Sequence, residues 1–268
     1  MTRAADSAST KTERPFLSAA WRHLAVLNYE VPRSLLEPLV PAGTELDTFG
    51  GAALASLVGF QFLDTRVLGI AVPGHRDFDE VNLRFYVRRR VENTRWRRAV
   101  VFVRQLVPRR ALALVARMCY NEPYIAVPMR HELALEGIGD GVPGRAAYFW
   151  QLGGRWHSLE VRTAGRPFVP PMGSEAEFVT EHYWGYTAQR DGSCKEYQVA
   201  HPPWLVWQTV SAEFDCDVHL VYGAGFAECL TGQPRSAFLA EGSEVSVYRG
   251  RRLERENLSR HRPAKPDR

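Results

Sequence analysis

The residues best equipped for chemistry recur at a spacing of two. In Asp79-Glu80-Val81-Asn82-Leu83-Arg84-Phe85-Tyr86-Val87, a carboxylate, a carboxamide, a guanidinium and a phenol alternate with apolar side chains. A strand projects successive side chains to opposite sides, so Glu80, Asn82, Arg84 and Tyr86 share one face and Val81, Leu83, Phe85 and Val87 the other. Two arrangements satisfy this pattern. The polar face lies in water, as on any surface strand, or it lines a cavity. In a cavity, Arg84 presents a planar fork suited to a carboxylate. Glu80, four residues and about 13 Å along the strand, is then a candidate acid–base group.

Other catalytic signals are missing. The chain has no G-x-S-x-G, Walker loop, G-x-G-x-x-G or H-E-x-x-H. Its eight histidines include no two that are three or four apart, and the expectation is no metal site and no cofactor. Its three lysines are Lys11, Lys195 and Lys265. Two lie near the termini, so an amine nucleophile would have to be Lys195, just after a hairpin turn. The four cysteines, Cys119, Cys194, Cys216 and Cys229, form no C-x-x-C and read as reduced, mostly buried thiols.

The whole chain of 268 residues carries a net charge of +4, but the charge is unevenly spread. Residues 249–268 contribute +5 and residues 1–14 contribute +1, leaving a body of −2 over residues 15–248. The terminal segments hold little apolar surface and read as disordered tails flanking a single domain. The basic stretch from Arg88 to Arg98 holds one aromatic residue and belongs to an acidic body, so it reads as a solvated hairpin tip and no nucleic-acid partner is expected. No apolar run approaches the roughly 20 residues of a membrane span, and the first residues lack the apolar core of a signal peptide. A cytoplasmic protein without a membrane partner is expected, with homo-oligomerisation left open.

These residues need a scaffold of strands. Strands are expected over 21–31, 45–49, 52–64 and 79–87, with Gly59 marking a bulge or bend and a helix over 52–58 as the competing reading. Strands continue over 99–107 and 124–133. Hairpins turn at Gly153-Gly154 and Asp191-Gly192. Further strands are expected over 205–214, 218–222 and, at the sheet edge, 244–248. Helices are expected over 33–39, 109–120 and 175–181, the last with Ser174 and Glu177 as a capping box. Residues 223–242 give no clear pattern. Adjacent strands joined by hairpins, with few helices, indicate an α+β domain around a mostly antiparallel, barrel-like sheet.

The stretches LNYEVPRSLLEPLVPAGTELDTFGGAALASLVGFQF, EVNLRFYV, SEAEFVTEHYWGYT and HPPW occur in this order between about residues 20 and 210. Together they resemble the YqjF-like family of uncharacterised bacterial proteins, which is similar in fold to acetoacetate decarboxylase. The resemblance implies a closed antiparallel barrel with an internal pocket. In the decarboxylases the pocket holds a catalytic lysine and acidic residues. The corresponding stretch here, Tyr120-Asn121-Glu122-Pro123-Tyr124-Ile125, has no lysine, and Glu80 would be the acidic counterpart. On this resemblance Glu80, Asn82, Arg84 and Tyr86 face inward, and Glu80 and Arg84 are expected to act as a buried pair. Tyr120 and Tyr124 either line the pocket or pack beneath the barrel. His201, in the rigid turn His201-Pro202-Pro203-Trp204, is a ligand contact or simply part of a fixed backbone. The function expected is binding of a small carboxylate or carbonyl compound. A lyase or hydratase acting on a keto acid through Glu80 is the first alternative, and a protein-interaction module the second.

Overall fold

The computed structural model describes residues 14–91, 95–109 and 121–253. Strands run along nearly the whole chain: β1 (Leu17–Glu30), β2 (Glu45–Leu46), β3 (Leu54–Val67), β4 (Ile70–Ala71), β5 (Phe78–Val91), β6 (Arg95–Val107), β7 (Tyr124–Ala126) and β8 (Met129–Ala134). They continue as β9 (Gly144–Leu152), β10 (Arg155–Phe168), β11 (Trp184–Ala188), β12 (Cys194–Ala200), β13 (Val206–Asp215), β14 (Ser236–Val247) and β15 (Arg251–Arg252). All belong to one sheet. Seven of them close on themselves in the order β1, β3, β5, β6, β11, β12, β14, because β14 pairs with both β1 and β12. The ring-like sheet is mixed: β11 and β7 run parallel to β6, and the other pairings are antiparallel. From β14 the sheet continues outward through β13, β10, β9 and β8.

This continuation explains how both faces of β5 come to be buried. Val81, Leu83, Phe85 and Val87 join a core that also holds Tyr148 and Trp150 of β9 and Leu159 of β10. The helices Val218–Tyr222 and Ala224–Leu230 add Val221 and Phe226 to the same core. The opposite face of β5 turns into the ring. Alternation in this strand therefore separates an apolar core from a cavity, not a core from water.

Gly59 lies within β3 and borders a bulge, which the partner strand carries. A Cβ there would sit 2.6 Å from the Tyr148 ring, so the glycine admits that ring. The bulge is on the partner strand β1, between Arg22 and Ala25, where His23 takes a left-handed φ of 56°. The Tyr148 hydroxyl donates to the His23 carbonyl at 2.8 Å, which satisfies an acceptor that the interrupted ladder leaves free.

Several expectations are corrected. Residues 218–222 form a helix rather than a strand, capped by Asp217, whose Oδ1 accepts from Leu220 N at 3.0 Å. The supposed edge strand at 244–248 is the end of β14, which pairs with β1 on one side and with β12 on the other. The basic C-terminal segment is not loose from residue 249 onward: Arg251 and Arg252 pair with Glu196 and Lys195, and Leu253 is buried. The arginine-rich hairpin is not simply solvated either. Arg88 meets Glu45, Arg98 meets Asp47, and Arg89 and Arg97 converge on the buried Glu196. The helix expected over 109–120 lies outside the described residues except at Arg109. The helix Glu175–Thr180 forms as expected, with Ser174 Oγ accepting from Glu177 N at 3.2 Å.

Candidate ligand cavity inside the strand ring

A cavity of about 220 Å³ occupies the ring, and every one of the seven ring strands contributes to its wall. From β5 come Glu80, Asn82 and Arg84, the first three members of the polar face. Tyr86 is not part of this wall. Its ring packs edge-on to Phe178 at 5.1 Å and beside His182 at 4.6 Å, and its hydroxyl lies 2.6 Å from Ser56 Oγ. Tyr124 and His201 do line the cavity, while Tyr120 lies outside the described residues.

Glu80 is held by its own strand and by β7. Asn82 Nδ2 donates to its Oε1 at 2.9 Å, and the Tyr124 hydroxyl donates to its Oε2 at 3.2 Å. Burial pushes its carboxyl up to about 7. The two hydrogen bonds oppose that rise and the neighbouring Glu122 charge adds to it; the pull of Arg84 is the weakest influence.

Glu122 is the residue that pattern reading misses. It lies between Asn121, which takes a left-handed φ of 57°, and Pro123, at the entrance to β7. Asn121 Nδ2 donates to the Ala188 carbonyl at 2.8 Å, and Gln105 N donates to the Pro123 carbonyl at 3.1 Å, fixing the turn to β11 and β6. The Glu122 carboxylate accepts from Gln105 Nε2 at 3.1 Å, Thr187 Oγ1 at 2.5 Å and the Tyr197 hydroxyl at 3.2 Å. Burial still carries it up to about 7. Gly185 helps to set this geometry: it stands opposite Tyr197, and a Cβ there would lie 2.1 Å from the Tyr197 ring.

Gln105 reaches the cavity because of a bulge. Arg84 pairs with Phe102, while Leu83 pairs with Arg104, so Val103 is the extra residue of β6. Phe102 and Gln105, three apart, therefore both line the cavity. His182 and Trp184, which follow the helix Glu175–Thr180, complete the polar side together with His201. Burial holds both histidines down to about 4, and so neutral near pH 7. His201 stacks on Trp204 at 4.3 Å with 22° between the rings.

Arg84 is the most unusual member. It is 8% exposed, and its Nε is buried without a hydrogen-bond partner. No carboxylate among the described residues lies within ion-pair reach of its guanidinium, so the expected Glu80–Arg84 salt bridge does not form. Asn82 Oδ1 and both His182 ring nitrogens are also buried without partners; His182 Nε2 is 3.8 Å from Asp47 Oδ2. Buried polar atoms are ordinarily satisfied, so a group of orphans on one cavity wall is informative.

No group of three or more His, Cys, Asp or Glu side chains among the described residues is arranged to hold a metal. No helix among them is long and apolar enough to cross a membrane. Lys195, on β12, is not part of the cavity wall.

The chain matches the model of a family described as uncharacterized conserved protein, DUF2071, over residues 18–244. It is 29% identical over 197 residues to the uncharacterized protein YqjF of Bacillus subtilis (strain 168), covering 72% of this chain and 75% of that one. Among solved structures it is similar to acetoacetate decarboxylase from Legionella pneumophila, with a TM-score of 0.61, 13% identity and coverage of 90% of this chain and 88% of that one. It is similar to the enduracididine biosynthesis enzyme MppR complexed with pyruvate, with a TM-score of 0.61, 14% identity and coverage of 92% and 93%. An acetoacetate decarboxylase-like enzyme from Sphingomonas wittichii RW1 aligns with a TM-score of 0.58 at 12% identity, covering 90% and 94%. At such identities the likeness is one of fold. The ring-like sheet is thus of the acetoacetate-decarboxylase type, and the chain belongs to the DUF2071 family.

Proposed function

We propose that the chain binds a small carboxylate carrying a carbonyl group inside the ring, with Arg84 on the carboxylate and Glu80 moving a proton. The observation that carries this reading is Arg84, a buried residue on a cavity wall whose Nε has no hydrogen-bond partner and which no carboxylate among the described residues pairs with. An unpaired buried charge is costly, and a bound carboxylate would supply both the charge and the geometry that the guanidinium lacks. Asn82 Oδ1 waits in the same way for a donor, such as a hydroxyl or enol.

The acid–base role follows from the carboxyl pair. Glu80 and Glu122 each hold a proton up to about pH 7, and each raises the cost of ionising the other. A carboxyl poised there can both give and take a proton at neutral pH. An amine adduct is not part of this reading, because the described cavity wall contains no lysine. The pyruvate bound by a structural neighbour supports an oxo acid as the kind of ligand.

The test is titration of the protein with pyruvate and acetoacetate, followed by tryptophan fluorescence, since Trp21, Trp184 and Trp204 line the cavity. Saturable binding that weakens at least tenfold in Arg84→Met is expected. For the acid–base half, exchange of the hydrogens beside the carbonyl of 2-oxobutanoate with heavy water is followed by NMR. It should be catalysed by the protein and lost in Glu80→Gln. Equal binding by Arg84→Met would overturn the assignment of the carboxylate site.

A further inference from the structure

The polar groups occupy only part of the cavity, and what surrounds the rest constrains the ligand. Along β5 the inward positions run Arg84, Asn82, Glu80, Phe78, and opposite them on β3 stand Ser56, Val58, Phe60 and Phe62. The register places Arg84 beside a serine, Glu80 beside a phenylalanine, and only aromatic residues beyond. Trp21 lies across from Phe62 on β1 and meets the rings of Phe60 and Phe62 at 5.5 and 5.7 Å and that of Trp204 at 6.3 Å. These rings make a continuous apolar wall starting where the carboxyls stop.

Size gives a second limit. A cavity of about 150 Å³ lined by aliphatic and aromatic side chains admits benzene, six heavy atoms. A cavity of about 220 Å³ therefore admits roughly nine or ten. Pyruvate and acetoacetate have six or seven. They would leave the aromatic end unfilled, with its lining deprived of contacts.

We infer that the ligand is an amphiphilic carboxylate of about nine to ten heavy atoms, its carboxylate on Arg84 and its alkyl or aryl body against Trp21, Phe60, Phe62 and Trp204. This rests on the proposed carboxylate site and adds the identity of the rest of the molecule. The carboxylate end fixes the orientation. Glu80 stands four residues and about 13 Å along the strand from Arg84 at the backbone, so the body of the ligand, rather than its carboxylate end, passes Glu80 on the way to the aromatic wall.

The experiment is a chain-length series on the intact protein: butanoate, hexanoate, octanoate, dodecanoate and 3-phenylpropanoate, with dissociation constants from calorimetry. Affinity should rise about fourfold per methylene from butanoate to octanoate, since each buried methylene contributes a constant increment. It should fall or level at dodecanoate, and 3-phenylpropanoate should match octanoate within about tenfold. Phe60→Ala enlarges the apolar end and should move the optimum to a longer chain. Affinity independent of chain length, with binding still lost in Arg84→Met, would overturn the inference while leaving the carboxylate site standing. Failure of every acid to bind, or binding indifferent to Arg84→Met, would overturn the carboxylate site and this inference with it.

Discussion

One strand carries two buried arginines, and the fold treats them oppositely. Arg84 and Arg89, both on β5, are 8% and 9% exposed. Arg89 Nη1 lies 3.1 Å from Glu196 Oε2, and that carboxylate also accepts from Arg97 at 2.8 Å, Arg251 at 2.8 Å and the Tyr186 hydroxyl at 2.7 Å. Arg84 has a cavity in front of it, its Nε lacks a partner, and no carboxylate among the described residues pairs with it. The glutamates repeat the contrast. Glu80 and Glu196 are 2% and 1% exposed. Burial pushes both up, but for Glu196 the Tyr186 and Arg251 hydrogen bonds and the Arg97 and Arg251 charges outweigh it, and its carboxyl is held below its ordinary range. Glu80 has only neutral donors and rises to about 7. Both carboxyls are out of contact with solvent, but Glu80 sits deeper and has only neutral partners, so depth and partners together decide which group stays ionised. One end of β5 is internally neutralised and structural. The other is left without a charged partner by the described residues.

The largest expected effect lies at the satisfied end. Glu196→Gln removes the charge that holds Arg89 and Arg97 and should destabilise the fold by about 3–5 kcal/mol, measured by urea denaturation. It should leave the affinity for carboxylates nearly unchanged, because Glu196 is not on the cavity wall. A loss of less than about 1 kcal/mol would place this cluster among ordinary exposed ion pairs and remove the contrast.

The carboxyl pair predicts a pH dependence of opposite sign to the usual one. Glu80 and Glu122 ionise near 7 in the fold against an ordinary 4.5. Between those values the unfolded chain holds fewer protons, so stability falls as pH rises through the window. His182 and His201, held to about 4 against an ordinary 6.5, act in the reverse sense, and their contribution is lost as pH falls from 6.5 to 4. The slopes oppose one another over much of the same range and mask each other in the wild-type curve. The difference between Glu80→Gln and wild type isolates the carboxyl. Glu80→Gln should gain on wild type from pH 4.5 upward and level off above pH 7 at an advantage on the order of 3 kcal/mol. A difference that does not vary with pH would mean that Glu80 ionises at its ordinary value.

A smaller effect with an unusual sign is expected at Arg84. Because the fold leaves it unpaired, Arg84→Met should keep stability or raise it by about 1–3 kcal/mol while abolishing carboxylate binding. Stability gained as function is lost distinguishes a binding residue from a structural one. A loss of stability would instead return Arg84 to the class of Arg89.

The sequence shows some of this contrast and conceals the rest. The alternation over 79–87 correctly separates two faces of β5, and the inward turn of Glu80, Asn82 and Arg84 agrees with the family resemblance. Period two cannot tell what either face meets, so Tyr86, in phase with the others, was expected in the cavity although it packs on Phe178 and His182. Gln105 was hidden by the Val103 bulge, which breaks the period within one strand. Glu122 sits in an irregular turn with no periodicity at all, where the adjoining Asn121 and Pro123 were the available signal. The stretch Val218–Tyr222 was misread because its β-branched residues outweighed the Asp217 cap, a local device that the helix uses. Glu196, 107 residues from Arg89, meets it only through long-range pairing of the ring strands, which no local pattern records.

The finest test compares couplings. The shared face of the strand, taken with the family resemblance, suggests that Glu80 and Arg84 form a buried pair whose breakage would be severe. Yet no ion pair joins them, and Glu80 is largely protonated below pH 7, so there is little charge for Arg84 to attract. A double-mutant cycle of Glu80→Gln and Arg84→Met at pH 6, without ligand, should give a coupling below about 0.5 kcal/mol. The same cycle at pH 9, where Glu80 is ionised, should show a larger attraction, because burial weakens screening between the two groups. The Arg89–Glu196 cycle should instead be large, about 2–3 kcal/mol, and insensitive to pH between 6 and 9, since the Glu196 carboxyl is held below its ordinary range. Pyruvate or octanoate should then change the Glu80–Arg84 coupling without affecting the other, because Glu80 and Arg84 line the cavity and Arg89 and Glu196 do not. A strong, pH-independent coupling between Glu80 and Arg84 would show that the protein satisfies Arg84 itself, and the case for a carboxylate ligand would lose its basis.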